Sequence, residues 1–410
     1  MSRSSRSRNG VKHGRQPRRG AVATFFRGLA IALTVVLVSG ASVAAWIVWD
    51  LASNVSSNAI DISQPNDTTT PLPEVPNIDA FEGGFNLLVV GADNDPAQGN
   101  AFGRRDVTLN DVNMLLHVSE DHSTAVVVSF PRDLIIPHPE CTDPETGEAS
   151  GAMRAQPLNA AFERGGLSCV VATISELTGL EIEYAALMSF ASVVKMTDAV
   201  GGVPVCLTAP IKDRRSDLDL PAGTSVISGE TALAFLRTRH GVGDGSDLSR
   251  IASQQQYISS LVRTIKSNDT LTDVTKLYSL AQVAAKNVNL STSLANLTRM
   301  VAMARTLQTI DLDALNLIQY PVMDDPNDRN RVVPLSSLAD ELFERIAADL
   351  PFSPDPDANR TGVEADPNAP VPTTPPATPG ATPPATTAPD VIEGLQGQTA
   401  LQQTCSVANN

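Results

Sequence analysis

The sequence lacks the short motifs that mark several common enzyme classes. It contains no GxSxG segment, no HExxH segment and no GxxxxGK loop, which argues against an α/β-hydrolase, a zinc metalloprotease and a P-loop nucleotidase. It has only four cysteines, none of them in a CxxC pair, so a zinc site is not expected. Any chemistry must therefore come from other residue types.

Positive charge is scarce beyond the first 27 residues. Residues 1–27 hold eight of the 30 cations and no acidic residue, and the remaining 22 cations stand against all 45 anions, a balance of −23. Nucleic-acid binding requires a basic face, so the acidic body argues against a nucleic-acid partner.

A long apolar run follows the basic arm. Residues 28–49, GLAIALTVVLVSGASVAAWIVW, carry no charge and are long enough to cross a bilayer as one helix. Trp46 and Trp49 lie at its outer end, and the basic arm at 1–27 is expected to stay cytoplasmic, with residues 50–410 outside. The alternative is a cleaved signal peptide, but its apolar region is usually shorter. The sequence predicts a single-pass membrane protein with an extracytoplasmic body.

The four cysteines suit an oxidising compartment. Four cysteines allow three pairings. The favoured arrangement joins Cys141 to Cys169 within one region and Cys206 to Cys405, which would tie the tail to the body. Four free thiols are the alternative and are less expected outside the cell.

Composition divides the extracytoplasmic part into four regions. Residues 50–80 are polar and proline-containing and are typical of a spacer. Residues 81–350 have the apolar patterning of a folded domain. Residues 351–390 are rich in Pro, Thr and Ala and predict a disordered linker, and residues 391–410 form a short tail.

Strand and helix patterns alternate within residues 81–350. Apolar runs predict strands at 86–90, 112–118, 125–129, 203–207 and 315–320. Amphipathic patterns predict helices at 160–177, 190–200, 230–236, 248–266, 271–285, 294–308 and 334–348. This alternation predicts an α/β (α+β) fold with a central mixed β-sheet flanked by helices in three layers, preceded by one transmembrane helix.

Polar residues occur where predicted strands and helices end. Asp93 follows the first strand, and the pair Arg132-Asp133 follows the third. Arg237 and Arg239 close a short helix and converge only if the chain becomes extended there. A surface ion pair, or a basic helix end favoured by the helix dipole, would also explain them.

A second group shares one face of the predicted helix 248–266. Asp247, Arg250 and Gln254 are spaced as i, i+3 and i+7, so they lie on the same side. Such a stripe suits an oxyanion, but it also suits an ordinary solvated face, and Asp247 alone could cap the helix. His240 neighbours the arginines in sequence.

The combination is more informative than its members. Arginine recognises phosphate in a bidentate manner, and guanidinium groups repel one another unless an anion lies between them. Asp93 and Asp111 offer the oxygen ligands that Mg²⁺ (or Mn²⁺) prefers. Arginines with Mg²⁺ predict phosphoryl transfer, in which positioning and charge neutralisation do most of the catalysis.

With these residues described, the chain resembles the LytR-CpsA-Psr family of cell-wall enzymes in its actinobacterial style. The resemblance runs from about Phe85 to Tyr257, and the order and spacing of its segments make it specific. The segments are FNLLVVGAD at 85–93, NDVNMLLHVS at 110–119, VVVSFPRD at 126–133, LNAAFERGG at 158–166, DAVGGVPV at 198–205, SGETALAFLRTRH at 228–240 and DLSRIASQQQYI at 247–258.

The resemblance implies a transferase that moves a glycopolymer phosphate from a polyprenyl-pyrophosphate carrier to a peptidoglycan hydroxyl. It also implies an apolar tunnel for the lipid and a possible action of Asp247 on the acceptor hydroxyl. The implied metal ligands are Asp93 and Asp111, and the implied pyrophosphate ligands are Arg132, Arg237, Arg239, Arg250 and Gln254. A water-using pyrophosphatase and a non-catalytic wall-binding or regulatory membrane protein are the alternatives.

Three positions depart from the family pattern. The family commonly has Arg-Ser-Asp where this chain has Leu109-Asn110-Asp111, so one pocket arginine is missing, and Arg104 or Arg105 would have to replace it. A frequent lysine is Pro157 here, and a second arginine on the helix is Ser253. A weaker pocket or a different glycan specificity is expected.

Overall fold

The computed structural model describes residues 59–64, 81–94, 108–144, 146–267, 273–358, 361–369 and 389–409. The basic arm at 1–27, the apolar run at 28–49 and most of the predicted spacer and linker lie outside these residues. No helix in the described part of the chain is long and apolar enough to cross a bilayer. Contacts group residues 54–410 as one compact unit.

A seven-stranded mixed sheet forms the centre of this unit. Its strand order is β13-β8-β1-β2-β3-β14-β20. The β1-β2 and β2-β3 pairs are antiparallel, whereas β8 and β14 run parallel to β1 and β3. The strands are β1 (Phe85–Ala92), β2 (Asn110–Val118), β3 (Ala125–Phe130), β8 (Tyr184–Met188), β13 (Asn289–Leu290), β14 (Leu315–Gln319) and β20 (Gly397–Thr399).

Seven helices are seen in the described residues. They are α1 (Gly166–Thr178), α2 (Phe190–Val200), α3 (Gly229–Arg237), α4 (Asp247–Ser267), α5 (Val274–Asn287), α6 (Leu297–Thr309) and α7 (Ser336–Ala347). The prediction for 160–177 was wrong over its first turns. Two short 3-10 turns occupy 158–164, and α1 begins only at Gly166, whose φ of +66° breaks the helical path.

One face of the sheet is fully covered. Leu88, Val90, Leu115, Val128 and Ile318 point to this side and pack into one core with side chains of α1 and α7. The aliphatic, β-branched composition of β1 and β3 favours strands buried in this way.

The other face is covered unevenly. The helix α4 lies on this side, where the Gln398 side chain of β20 donates to the carbonyl of Gln255. Helices therefore flank both faces of a mixed sheet, which confirms the predicted α/β class. Over the central strands the apolar side chains on this face are only half-buried, and we call them the apolar strip: Leu87, Val89, Val112, Met114, Leu116 and Val127.

A smaller sheet of order β12-β9-β21-β18 packs beside α4. Its strands are β9 (Val203–Leu207), β12 (Gly223–Ile227), β18 (Val363–Ala365) and β21 (Thr404–Ser406). The remaining two-stranded pairs are β4 (Ile135–His138) with β7 (Met153–Pro157), β5 (Cys141–Thr142) with β6 (Ala149–Ser150), β10 (Ile211–Asp213) with β11 (Leu218–Leu220), β15 (Val322–Asp324) with β16 (Val332–Pro334) and β17 (Phe352–Pro354) with β19 (Asp390–Ile392).

Strands from the C-terminal part of the chain pair with strands of both sheets. Strands β17 and β18 fall in residues that the composition assigned to a linker, and β20 and β21 fall in the predicted tail. A boundary at 350 is therefore wrong for the fold, because strand pairing by β18, β20 and β21 completes sheets built from earlier residues.

Two disulfides confirm the favoured pairing of the cysteines. Cys141 joins Cys169, 28 residues later, and Cys206 joins Cys405, 199 residues later. The second bond links β9 to β21 across the smaller sheet.

Candidate functional site

The predicted site residues meet at one edge of the central sheet. Asp93 directly follows β1, Asp111 is near the start of the antiparallel β2, and Arg132 and Asp133 follow β3. Because β1 and β3 end where β2 begins, these side chains share one edge. The first residue of α4, Asp247, reaches the same place.

Asp247 is the centre of a buried ion cluster. Its Oδ1 accepts a hydrogen bond from Arg239 at 2.8 Å and forms an ion pair with Arg250 at 2.7 Å, and its Oδ2 accepts from the backbone N–H of Arg132 at 3.2 Å. The side chain is 8% exposed. Burial opposes its charge, but the arginines, Arg250 foremost, lower the pKa of Asp247. The carboxylate therefore stays ionised.

Asp111 and Asp133 complete what we call the ion cluster: Asp111, Arg132, Asp133, Arg239, Asp247 and Arg250. Arg132 donates to Asp111 Oδ1 at 2.7 Å, and Arg250 donates to the Asp111 carbonyl at 2.8 Å. Burial disfavours the charge of Arg132, yet Asp111 and the other carboxylates raise its pKa overall. The burial of Arg250 has the opposite outcome and lowers its pKa.

Hydrogen-bond donors outnumber acceptors in the ion cluster. The Nε atoms of Arg132, Arg239 and Arg250 are buried and have no hydrogen-bond partner among the described residues. A buried donor without an acceptor costs about 1–3 kcal/mol. The oxygens of a bound phosphate are acceptors of the kind that such donors need.

Two residues of this edge were missed by the sequence analysis. Asp133, predicted only as a companion of Arg132, lies 3.5 Å from Arg239 and 2.7 Å from Arg331. Arg331 comes from the β15-β16 hairpin, nearly 200 positions later in the chain. No spacing pattern connects it to the site, and only the packing of that hairpin beside β4 brings it there.

Arg237 and Arg239 converge because α3 ends between them. Thr238 is extended, with φ −62° and ψ 135°, which meets the condition set by the spacing. Both arginines line a cavity of about 190 Å³. The other residues that line this cavity are Asp213, Arg215, Ser216 and His240. The Arg237 guanidinium also lies over the ring of Phe190, 4.2 Å from its centroid, in a cation–π contact.

Gln254 has an internal partner. Its Nε2 donates to the carbonyl of Leu236 at 2.8 Å, at the end of α3. Arg250 and Gln254 are 6% and 3% exposed, so the interpretation of this stripe as a solvated face is wrong. The contact indicates that Gln254 fixes the helix end that carries Arg237.

Asp93 connects the end of β1 to the residue that precedes β2. Its Oδ1 accepts from the backbone N–H of Leu109 at 3.0 Å, and the side chain is buried. Arg104 and Arg105, the candidates to replace a missing arginine, lie outside the described residues. Of the described residues, one trio has metal-ligand atoms close together, Cys206, Asp366 and Cys405, and its cysteines are disulfide-bonded.

Residues that directly follow β21 support the loop between α3 and α4. Gly243 donates to the carbonyl of Val407 at 2.8 Å, and Asn409 donates to the carbonyl of Gly241 at 3.0 Å. This loop carries Arg239 at one end and Asp247 at the other. The Cys206–Cys405 disulfide anchors the strand just before these contacts.

Taken together, the mixed sheet and the arginine-rich edge define an α/β protein with a site suited to a polyanionic ligand such as a diphosphate. Comparison with known sequences identifies the family. The chain belongs to the LytR_cpsA_psr family, whose model matches residues 49–348. Strands β17 to β21 lie beyond that match.

Several curated relatives are cell-wall proteins by name. Cell wall biosynthesis protein LcpA of Corynebacterium glutamicum is 31% identical over 51% of this chain and 45% of its own length. The teichoic acid transferase TagT of Bacillus subtilis is 22% identical over 60% of this chain and 72% of its own length. The match to the probable cell wall biosynthesis protein LcpB of Corynebacterium glutamicum covers 54% of that protein's length. The chain therefore spans about half the length of these first relatives.

Solved structures share the fold. Bacillus subtilis TagV aligns with a TM-score of 0.51 at 18% identity, covering 65% of this chain and 97% of that one. A LytR-Csp2A-Psr enzyme from Actinomyces oris aligns with a TM-score of 0.51 at 23% identity, covering 70% and 94%.

Proposed function

We propose that this protein is an extracytoplasmic phosphotransferase that moves a glycopolymer phosphate from a polyprenyl-pyrophosphate carrier to a hydroxyl of peptidoglycan. One observation carries the proposal. Arginines from three separate segments, Arg132, Arg239 and Arg250, meet around one carboxylate at the end of the apolar strip. A cationic site beside an apolar surface matches the two halves of a lipid-linked diphosphate.

The apolar strip suits the lipid half. Its six side chains come from β1, β2 and β3 and lie on one face of the sheet, each still partly accessible. Half-buried aliphatic side chains in a row are costly to leave in contact with water, because each buried CH₂ contributes about 0.8 kcal/mol. A polyprenyl chain covering the strip would recover part of that free energy.

The names of relatives support the transfer reaction. TagT of Bacillus subtilis is named a polyisoprenyl-teichoic acid–peptidoglycan teichoic acid transferase, and LcpA of Corynebacterium glutamicum is named a cell wall biosynthesis protein. We extend the reaction class, transfer of a glycopolymer to peptidoglycan, to this chain.

The proposed step exchanges one P–O bond for another. The acceptor hydroxyl oxygen attacks the glycan-bearing phosphorus, the bond from that phosphorus to the bridging oxygen breaks, and polyprenyl monophosphate leaves with the hydroxyl proton. Arg132, Arg239 and Arg250 bind the non-bridging oxygens and offset the charge that builds on the leaving phosphate. Arg237 lines the same edge from the cavity side.

We assign Asp247 a positioning role in place of action on the acceptor hydroxyl. Both of its oxygens are already engaged, because Oδ1 accepts a hydrogen bond from Arg239 and pairs with Arg250, and Oδ2 accepts from the Arg132 backbone N–H. Its pKa is lowered, so it is a weak base. Its contacts hold three arginines in one arrangement.

The donor chemistry at the sheet edge fits a hard divalent cation. Asp93 and Asp111 supply only oxygen ligands, and Mg²⁺ is commonly held by one or two carboxylates with substrate phosphate and water completing its shell. When bound, Mg²⁺ (or Mn²⁺) would offset charge on the diphosphate oxygens.

The proposal includes a cytoplasmic N-terminus, a membrane span at 28–49 and a body outside the membrane. Two disulfides in the described residues support an oxidising location. A membrane location also brings the body to its lipid-linked donor.

The test is transfer by the purified full chain. With a polyprenyl-diphosphate-linked glycan and peptidoglycan, we expect release of polyprenyl phosphate and a glycan–peptidoglycan product. Arg132→Ala should lower the rate by at least about a hundredfold, as loss of a charge-stabilising donor does in other enzymes. Arg154→Ala is the matched control, because Arg154 is exposed on β7.

Two outcomes would refute the assignment. Full activity of Arg132→Ala with an unchanged melting temperature would remove the arginines from the reaction. Donor cleavage at the same rate with and without peptidoglycan, giving free glycan phosphate, would identify a hydrolase instead.

A further inference from the structure

The cavity extends beyond the residues that the proposed reaction uses. Arg237 and Arg239 line it at the end of α3, and we call its other lining residues the far side: Asp213, Arg215, Ser216 and His240. Arg215 and Ser216 belong to the turn of the β10-β11 hairpin, which neither the family resemblance nor the sequence motifs singled out. The far side therefore offers groups with no assigned task.

The hairpin turn is fixed to the end of α3. Asp213 accepts from Thr238 Oγ1 at 2.7 Å and from Ser216 Oγ at 3.0 Å through Oδ2, and from the Arg215 backbone N–H at 2.9 Å through Oδ1. Thr238 lies between Arg237 and Arg239 in the sequence. Asp213 is 5% exposed and its oxygens are occupied by these donors. The far wall is thus held at a set position relative to Arg237 and Arg239.

Arg215 and His240 contact each other at the cavity. Arg215 Nη1 lies 2.7 Å from His240 Nε2. A guanidinium can only donate, so Nε2 accepts and the ring proton is on Nδ1. The pair presents one full positive charge and an N–H donor, and both side chains are accessible.

The charges of the cavity favour an anion. Three guanidinium groups and a single carboxylate line it, and that carboxylate is engaged by Ser216, Thr238 and a backbone amide. A second anion next to the diphosphate would be drawn to Arg215, which forms no ion pair with a carboxylate among the described residues. Guanidinium groups recognise phosphate and carboxylate oxygens in a bidentate manner.

We infer that the cavity is a specificity subsite for an acidic group, a phosphate or a carboxylate, on the donor glycan next to the transferred phosphate, with Arg215 and His240 as its recognition residues. The inference rests on the proposed function, because it takes the diphosphate to lie in the adjoining ion cluster. It makes the chain selective for acidic over neutral glycans.

The test compares two probes, farnesyl-diphospho-N-acetylglucosamine and the same compound phosphorylated on the sugar. Binding of each to the full chain in detergent is measured by calorimetry. The wild-type chain should prefer the phosphorylated probe, and Arg215→Ala should reduce that preference by about tenfold, the size of one charge-assisted hydrogen bond. His240→Ala should reduce it less, and His240→Gln, which keeps an acceptor for Arg215, should restore it.

Arg214→Ala is the matched control, since Arg214 is the exposed neighbour that does not line the cavity. An unchanged preference in Arg215→Ala, with binding of both probes intact, overturns the subsite. An effect of Arg215→Ala on the KM for peptidoglycan alone also overturns it, because the acidic group would then come from the acceptor. Failure of both probes to bind the wild-type chain would instead count against the proposed function.

Discussion

The ion cluster and the cavity share Arg239 but satisfy their charges differently. In the ion cluster, arginines meet carboxylates, and Asp247 is almost fully buried among them. In the cavity, the carboxylate of Asp213 is held by hydroxyl groups and an amide, and two further arginines face accessible space. Under the proposed function, the region that would hold the diphosphate is preorganised by internal ion pairs, whereas the region that would recognise the glycan keeps its cations accessible.

The largest effect is expected from removing the central carboxylate. Asp247→Ala leaves Arg239 and Arg250 without their shared partner, and breaking a buried pair costs about 3–5 kcal/mol. Transfer should be abolished. Asp213→Ala removes hydrogen bonds to neutral groups and should cost about 1–3 kcal/mol. Urea unfolding of the two variants measures the difference, and equal losses would contradict the contrast between the regions.

The next largest effect is expected from removing the Cys206–Cys405 disulfide, which helps to hold the loop that carries Arg239. Removing the Cys206–Cys405 bond by replacing both cysteines with alanine loosens the strand that binds Gly241 and Gly243, so Arg239 is held less firmly. We expect transfer to fall by about tenfold, because small displacements of catalytic groups are costly. The kinetic readout is kcat with saturating donor.

The other disulfide provides the matched control. Replacing Cys141 and Cys169 with alanine should lower the melting temperature but leave kcat of the remaining folded protein near wild type, because this bond joins β5 to α1, which pack on each other, and lies outside the loop between α3 and α4. Equal kinetic losses in both double variants would mean that the final strand has no special role at the site.

A smaller effect is expected at the rim of the ion cluster. Arg331→Ala removes a 2.7 Å partner of Asp133, which is then free to draw Arg132 and Arg239 toward itself. Because Arg331 is 33% exposed, its pairing is partly screened by solvent, and we expect a rise of about threefold in donor KM. The exposed Arg329 of the same hairpin is the control, and an equal change in Arg329→Ala would remove Arg331 from the site.

The smallest effect on transfer is expected from lowering the pH, because acid changes the charge of His138, a residue outside the ion cluster. Burial lowers the pKa of His138 to about 4, so between pH 6.5 and 4 the unfolded chain binds more protons than the folded one. Stability should therefore fall by roughly 2–3 kcal/mol as the pH drops through this window. Asp247 keeps its charge there, because its pKa is lowered.

The pH dependence is checked by urea unfolding at pH 7 and pH 4.5. His138→Gln, which cannot titrate, should lose most of the difference. A wild-type chain whose stability is the same at both values would contradict the assignment to His138.

Most helices and the strands β1, β2, β3, β9 and β14 could be predicted because each depends on local patterning, whereas β8, the neighbour of β1, was missed. The spacing of Asp247, Arg250 and Gln254 placed them on one helix face, and alternating apolar residues marked β1 and β3. The internal hydrogen bond of Gln254 could not be predicted, since it depends on how α4 packs against the end of α3.

The contributions of distant segments had no local signal. Arg331 reaches Asp133 only through a hairpin placed by tertiary packing. Strands β18, β20 and β21 are three residues long, too short for periodicity to register, and their partners lie far away in the chain. The cysteine count gave the one usable hint, because it tied Cys405 to Cys206.

The most direct test of the central claim is a crystal structure with farnesyl diphosphate bound. The account predicts phosphate oxygens within about 3 Å of Arg132, Arg239 and Arg250, with the farnesyl chain along Leu87, Met114 and Val127. A diphosphate bound elsewhere, with the arginines still paired only to Asp111, Asp133 and Asp247, would contradict it.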